Sequence, residues 1–226
     1  MKDFGEISEQ RIEGIGRTSK RTRQRLVDRL RREGIGSEKV LELMLNTPRH
    51  LFISEGLEHK AYDNTPLPIG NDQTISQPYI VAMMTELLLG EREYLGKVLE
   101  IGTGCGYQSA ILSKLAKQVY SIERIRELQF DARRLLTQLG YRNIKYMNGD
   151  GFQGWTTYQP YDGIIVTAAP SEIPQSLIKQ LAIGGRLVIP VGNAEQTLRV
   201  VTRTRTGFRE NTHVAVRFVP MLQGRA

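Results

Sequence analysis

Three glycines at alternating positions, Gly102, Gly104 and Gly106, follow the apolar run Val98-Leu99-Glu100-Ile101 and precede a helical pattern that begins at Tyr107. Without a Cβ, glycine lets backbone N–H groups approach a ligand closely, so a strand-to-helix turn of this composition suits a nucleotide. Tyr107 stands where a dinucleotide fingerprint has its third glycine, and the spacing therefore argues against a bound pyrophosphate. A second run, Gln118-Val119-Tyr120-Ser121-Ile122, ends at Glu123, seventeen residues after Gly106. That carboxylate can accept hydrogen bonds from both hydroxyls of a ribose and would repel a 2′-phosphate. A third acid, Asp150 in Asn148-Gly149-Asp150-Gly151, closes the strand-like stretch Ile144–Met147. Three successive strand ends of this kind predict one crevice along the carboxyl edge of a parallel sheet.

These residues need elements to position them. From Lys97 onward, strand and helix patterns alternate, with strands near 118–122, 144–147, 161–166, 186–190, 198–204 and 214–219. Helices are predicted near 107–116, 123–139 and 173–181. Repeated β-α units imply a parallel sheet covered by helices on both faces, and the last two strands, separated only by a polar turn around Gly207, predict an antiparallel hairpin. Upstream, Ser19 to about Glu33 reads as an amphipathic helix with Leu26, Val27 and Leu30 inward, and Ser37 as the N-cap of a helix from Glu38 to about Leu45. Residues 61–78 show little periodicity, yet Tyr62, Leu67 and Ile69 argue for order, and a long stretch of this type inside a compact domain is usually functional. Thr74 and Ser76 lie within it, just before a helix starting near Pro78, where Ser76 could serve as a cap. Met83 and Met84 fall at core spacing on that helix.

With 226 residues, 40% hydrophobic and 24% charged, the chain can bury one sizeable core. Of the net charge of +7, residues 1–35 carry +4, from ten Lys/Arg against six acids, so a polyanion partner is not required by the rest. Residues 1–18 are expected to be a poorly ordered basic extension. One cysteine excludes an intramolecular disulfide and fits a reducing, cytoplasmic setting. Cys105 has no partnering His in its motif and reads as a small loop residue, and no Cys/His cluster has metal spacing. His50, His59 and His213 are scattered and read as surface or capping residues. No segment approaches the ~20 apolar residues of a membrane span, and no apolar leader opens the chain.

Taken together, Glu100-x-Gly102-x-Gly104-x-Gly106, Gly149-Asp150-Gly151, Gly184–Gly192 and, above all, Gln73-Thr74-Ile75-Ser76-Gln77-Pro78 resemble the bacterial type of the protein-L-isoaspartate O-methyltransferase family. The glycine elements alone resemble only S-adenosylmethionine-dependent methyltransferases in general, whereas the Gln73–Pro78 element is far more specific. The similarity runs from about Ser19 to the C-terminus.

The resemblance implies a Rossmann-like α/β fold with a mostly parallel seven-stranded sheet. Residues 19–226 would be one methyltransferase domain, comprising an N-terminal helical and loop cap (19–90), a cofactor core (97–192) and a C-terminal hairpin (193–226). The cofactor implied is S-adenosyl-L-methionine, leaving as S-adenosyl-L-homocysteine, with Glu100, Gly102, Thr103, Gly104, Gly106, Glu123, Asp150 and Gly151 as its binding residues. The acceptor implied is the free α-carboxylate of an isoaspartyl residue in a damaged protein or peptide. Ser76 matches the active-site serine, with Thr74, Ile75 and Val219 beside the acceptor. No metal, obligate nucleic acid or membrane is implied, and a monomer is expected. Cys105 stands where the family commonly has serine, with little consequence expected for a loop that works through its backbone.

Two alternatives stay in view. RNA base methylation of the amino type usually shows an Asn/Asp-Pro-Pro-aromatic element after the fourth strand, where this chain has Thr167-Ala168-Ala169-Pro170. A non-catalytic module keeping a cofactor fold is the other, since fold does not fix function.

Overall fold

The computed structural model describes residues 7–226. The chain begins with a helical cap: α1 (Glu9–Glu13), α2 (Lys20–Arg32) and α3 (Glu38–Asn46). Serines start all three, because the Ser8, Ser19 and Ser37 side chains accept from first-turn N–H groups that the helix itself leaves unpaired. Helix α2 buries Leu26, Val27 and Leu30, the face selected by their spacing, together with Arg23. Arg23 donates through Nη2 to Glu13 O (2.6 Å) and through Nη1 to Leu45 O (3.3 Å).

Those bonds correct the expected extension. Residues 7–18 are part of the cap: Arg11 pairs with Glu55 (3.0 Å) and Glu58 (3.3 Å), and its carbonyl lies 2.7 Å from His50 Nε2. Sequence composition exposed the charges of this stretch but not their long-range partners. Residues 1–6 lie outside the described residues. His50 is likewise not at the surface; it is buried, with Nδ1 2.8 Å from the Tyr62 hydroxyl.

The weakly periodic region holds a hairpin, β1 (Leu67–Gly70) and β2 (Gln73–Ile75), paired Leu67 to Ile75. Its turn residues Asn71 and Asp72 both have positive φ, at 52° and 55°, as a type I′ turn requires. Leu67, Ile69 and Ile75 are buried, which anchors the hairpin to the cap. Helix α4 (Pro78–Leu89) follows, with Gln77 at its N-cap and no side-chain cap there. Asn64 Oδ1 instead accepts from Tyr79 N at 3.0 Å, so the Ser76 hydroxyl is not used as a cap.

The core comprises β3 (Leu95–Ile101), α5 (Tyr107–Leu115), β4 (Ala116–Glu123), α6 (Arg126–Gln138), β5 (Ile144–Asn148), β6 (Tyr161–Val166), α7 (Gln175–Lys179), β7 (Leu181–Gly192), β8 (Gln196–Arg203) and β9 (Phe208–Val216). One seven-stranded sheet results, in the order β5-β4-β3-β6-β7-β8-β9. β3 to β7 run parallel, whereas β7–β8 and β8–β9 are antiparallel, in line with the predicted hairpin. Alternate strand residues feed two cores. Val98, Val119, Ile165 and Val188 face the cap and α4–α6, while Leu99, Ile101, Ile164 and Leu187 face α7 and the loop after β5. Burial on both sides is why these strands read as continuous apolar runs.

Three boundaries differ from expectation. Helix α6 starts at Arg126 because Glu123 ends β4 and its carboxylate accepts the backbone N–H of Ile125. Helix α7 is five residues long, since Leu181 already enters β7, so the second face is only lightly covered by helix. Strand β9 begins at Phe208, where pairing with Arg203 closes the turn, and ends at Val216. Val219-Pro220 then crosses back to Ala169, with Ala169 N donating to Val219 O and Met221 N to Ala169 O, both at 2.8 Å.

Candidate active site

The glycine loop takes its shape from left-handed backbone that favours glycine: φ is 93° at Gly102, 53° at Gly104 and 89° at Gly106. A Cβ on Gly102 would lie 2.3 Å from Thr167 Oγ1. Thr167 uses that oxygen to donate to Ile101 O (3.1 Å) and Gly102 O (2.9 Å), which pins the loop to the end of β6. Gly104 N donates to Glu123 Oε2 at 2.9 Å, and Ile125 N to Glu123 Oε1 at 3.0 Å. The acid at the tip of β4 thus fixes the loop beside it.

A cleft opens over these strand ends. Gly102, Gly104, Glu123 and Gly151 line it, as do Thr74 and Val219 from the acceptor-side residues. The other expected cofactor residues stand outside it. Gly106 has a packing role: its Cβ would meet Leu136 Cδ1 at 2.7 Å, so glycine lets α5 start against α6. Thr103 is buried, with its hydroxyl 2.6 Å from Ser121 Oγ, and supports the loop from beneath. Asp150 sits at the rim, accepting from Phe152 N and Gly224 N, both at 2.9 Å.

Glu100 is the clearest correction. It is fully buried, accepts from Ser109 Oγ and from Ser121 Oγ (2.5 Å), and leaves its other oxygen without a partner. Two residues from Val98 on a strand buried on both faces, it points into the core beneath the loop. Burial pushes its carboxyl up to about 7, with the charge of Glu123 adding to the rise. Between its ordinary value and about 7 the folded chain therefore holds a proton that the unfolded chain has released, so this group's contribution to stability falls as pH rises through that window. Glu100→Gln is expected to gain on the parent in melting temperature between pH 5 and pH 8, at about 2–4 °C per kcal/mol for a chain of this size. Calorimetry across that range checks it, and a constant difference would remove the titration from Glu100.

The residues expected beside the acceptor sit on and after the hairpin and on the C-terminal crossing. Ser76 is half-buried and lines both a second cleft, with Pro66, Gln77, Ile80 and Ala215–Val219, and a small cavity against Gly102–Cys105. Among the described residues, its hydroxyl makes no protein hydrogen bond, while its carbonyl accepts from Arg49 Nη2 at 2.8 Å. Thr74 is exposed where the clefts meet. Ile75 is buried and packs in the cap core, the alternation of β2 turning it away from Thr74, and it borders the same small cavity as Ser76.

Trp155 packs edge-on against Tyr120 (5.7 Å) and Tyr158 (5.2 Å) and does not line the cleft over the glycine loop. Asp162 accepts from Lys97 N at 2.8 Å, a structural contact at the opposite end of the strands. Sequence reasoning missed Ile69 and Ile125 as wall residues, whereas Met221 falls in the segment, about Val216–Leu222, that the resemblance places at the acceptor side. The signals were present: Ile69 alternates with Leu67, and Ile125 lies two residues past Glu123.

The glycine loop after β3, the acid closing β4 and the antiparallel hairpin ending a parallel sheet define an S-adenosylmethionine-dependent methyltransferase fold. Comparison with known proteins goes further. The family model described as Protein-L-isoaspartate(D-aspartate) O-methyltransferase (PCMT) matches residues 20–226, and the chain belongs to that family. The Protein-L-isoaspartate O-methyltransferase of Pseudomonas paraeruginosa is 56% identical over 208 residues, spanning 92% of this chain and 98% of its own. That of Cellvibrio japonicus is 55% identical over 218 residues, spanning 95% and 97%. A solved protein-L-isoaspartate O-methyltransferase superimposes with a TM-score of 0.78 at 29% identity over 88% of this chain, which spans 65% of that longer molecule. A Plasmodium falciparum structure described as a beta-aspartate methyltransferase (PCMT), in complex with S-adenosyl-L-homocysteine, gives 0.74 at 25% identity, over 88% of this chain and 98% of its own.

Proposed function

We propose that this chain transfers the methyl of S-adenosylmethionine to the free α-carboxylate of L-isoaspartyl residues in damaged proteins and peptides. The ester then cyclises spontaneously to a succinimide, whose hydrolysis returns part of the material to normal aspartate. The observation that carries this reading is the meeting of two clefts. Thr74, Thr167 and Val219 line both the cleft over the glycine loop and the cleft holding Ser76, so a donor on one side and a carboxylate on the other would face each other across a shared wall.

The residues fit the cofactor. Gly102, Gly104, Glu123 and Gly151 line one cleft, and the backbone at Gly102 and Gly151 is packed so closely on Thr167 and Ile101 that a Cβ at either would lie 2.3 Å from a side-chain atom. In this reading Glu123 holds the ribose hydroxyls, the Gly102–Gly104 backbone faces the methionine portion, and Asp150 with Gly151 borders the adenine. When bound, S-adenosylmethionine supplies an electrophilic methyl on sulfur. The chain itself need supply no base, because an α-carboxyl with an ordinary pKa near ~3.5 is already ionised at neutral pH. None of His50, His59 and His213 lines either cleft. Ser76 acts instead as a positioning donor that holds the carboxylate in line with water excluded. Modest hydrogen bonds suit a reaction that neutralises charge, since strong solvation of the anion would stabilise the ground state more than the transition state.

Among the described residues no helix is long and apolar enough to cross a membrane. The reading is completed by a monomer working in the cytoplasm, supported by the single cysteine. Methyl transfer to two synthetic peptides differing only in an isoaspartyl or aspartyl linkage tests it, with tRNA as a third acceptor. Base-labile label on the isoaspartyl peptide alone is expected. Label on RNA, or on no acceptor despite cofactor binding, would overturn the substrate assignment.

A further inference from the structure

Arg49 opens the 3-10 turn Arg49–Phe52 and is 0% exposed. Taking a guanidinium out of water is costly, and a carboxylate partner usually offsets that cost. Among the described residues Arg49 has no carboxylate. Its Nε donates to Ala61 O (2.9 Å), its Nη2 donates to Ser76 O (2.8 Å), its guanidinium lies over the Tyr107 ring at 5.1 Å, and Nη1 has no hydrogen-bond partner. Two carbonyl dipoles and a ring face solvate a cation in part, yet they leave a whole unit of positive charge in the interior.

One of those carbonyls belongs to Ser76, the residue whose hydroxyl stands free on the side of the site that must receive an anion. The side chains that share the wall, Thr74, Gln77, Thr167 and Val219, are neutral. Arg217 also borders the cleft but is exposed, where salt screens its charge. A buried charge is screened far less, and its effect carries through low-dielectric protein.

We propose that Arg49 is a positioning residue for methyl transfer, clamping the Ser76 backbone and favouring an anionic acceptor over a neutral one through its unneutralised charge, a longer-range attraction without the direct ion pair that would overstabilise the ground state. This rests on the function proposed above. Substrate binding would supply the missing anion, and esterification would remove it, so the same charge that favours the carboxylate loosens the product.

The test compares binding of two peptides to the complex of the enzyme with S-adenosylhomocysteine, whose sulfur is neutral. One peptide carries the isoaspartyl α-carboxylate and the other an α-carboxamide of nearly the same shape, and the titrations are run at ~0.5 M salt to screen Arg217. The parent is expected to prefer the carboxylate on the order of tenfold, and Arg49→Gln to bring the two within about twofold. A merely structural role would weaken both peptides alike. Arg49→Lys keeps the charge and hence the preference, but a single ammonium group cannot span the Ala61 and Ser76 carbonyls, so kcat should fall roughly tenfold while peptide KM stays within about threefold.

An intact preference in Arg49→Gln, or a lost preference in Arg49→Lys, overturns the charge role. Unchanged kcat in Arg49→Lys overturns the clamp, and the Lys variant decides the matter if the Gln variant does not fold. A parent that methylates no isoaspartyl peptide would instead overturn the functional reading on which the proposal stands.

Discussion

Glu123→Ala is expected to lower affinity for S-adenosylhomocysteine by about 100-fold, the loss of two charge-assisted hydrogen bonds at roughly 1.5 kcal/mol each. The carboxylate does more than wait for a ribose. It already accepts the N–H groups of Gly104 and Ile125, at 2.9 and 3.0 Å, so it shapes the loop against which the ligand lies. The alanine variant therefore loses both a ligand contact and the order of the loop. Glu123→Gln separates the two effects. Its amide oxygen can still accept one loop N–H but cannot offer two anionic oxygens, and an intermediate loss of about tenfold is expected. Titration calorimetry measures both variants, and peptide KM at saturating cofactor should stay within about twofold of the parent, because Glu123 does not line the cleft that holds Ser76. An affinity within about threefold of the parent in the alanine variant would show that the ribose hydroxyls are held elsewhere.

Why was the loop beneath the first cleft legible in the sequence and the cleft holding Ser76 less so? The glycine loop, the acid closing β4 and the caps of α2 and α3 follow from rules that act within a few residues. Backbone freedom at Gly102 and Gly104, the end of an apolar run at Glu123 and the hydroxyls of Ser19 and Ser37 all belong to that short range. Glu100 was misread although its signal was present: it shares a face with Val98, and in a strand buried on both sides that face has no opening to a ligand. The β1–β2 hairpin was hidden because Pro66 and Pro68 interrupt the alternation and Asn71-Asp72 is a less familiar turn than Asn-Gly. Packing of α1 and the burial of Arg49 depend on partners far along the chain, Glu55 and Glu58 in one case and Ala61 and Ser76 in the other. No local pattern encodes such contacts. Val219 reached the site by leaving the sheet after Val216, a path set by the Ala169–Pro220 bridge and not by strand propensity.

Ser76→Ala should reduce kcat about 100-fold, the scale of a small misplacement of reacting groups, while leaving cofactor affinity within about twofold. The split follows from position. Ser76 lines the second cleft and the small cavity against the loop, but not the cleft bordered by Glu123 and Gly151. Removing its hydroxyl leaves no buried partner unsatisfied, since the group bonds to no protein atom among the described residues, so the variant should fold with unchanged stability. That isolates the chemical effect from the structural one. The serine carbonyl, held by Arg49 at 2.8 Å, is retained in the variant, and the loop keeps its course. Ser76→Thr offers a hydroxyl with an added methyl, and partial recovery of turnover is expected if the donor is what matters. Single-turnover methylation of the isoaspartyl peptide, with cofactor titration alongside, reads both quantities. Turnover equal to the parent in the alanine variant would mean that backbone N–H groups alone orient the carboxylate; a parallel loss of cofactor affinity would mean that Ser76 shapes the donor cleft and acts on the acceptor only indirectly.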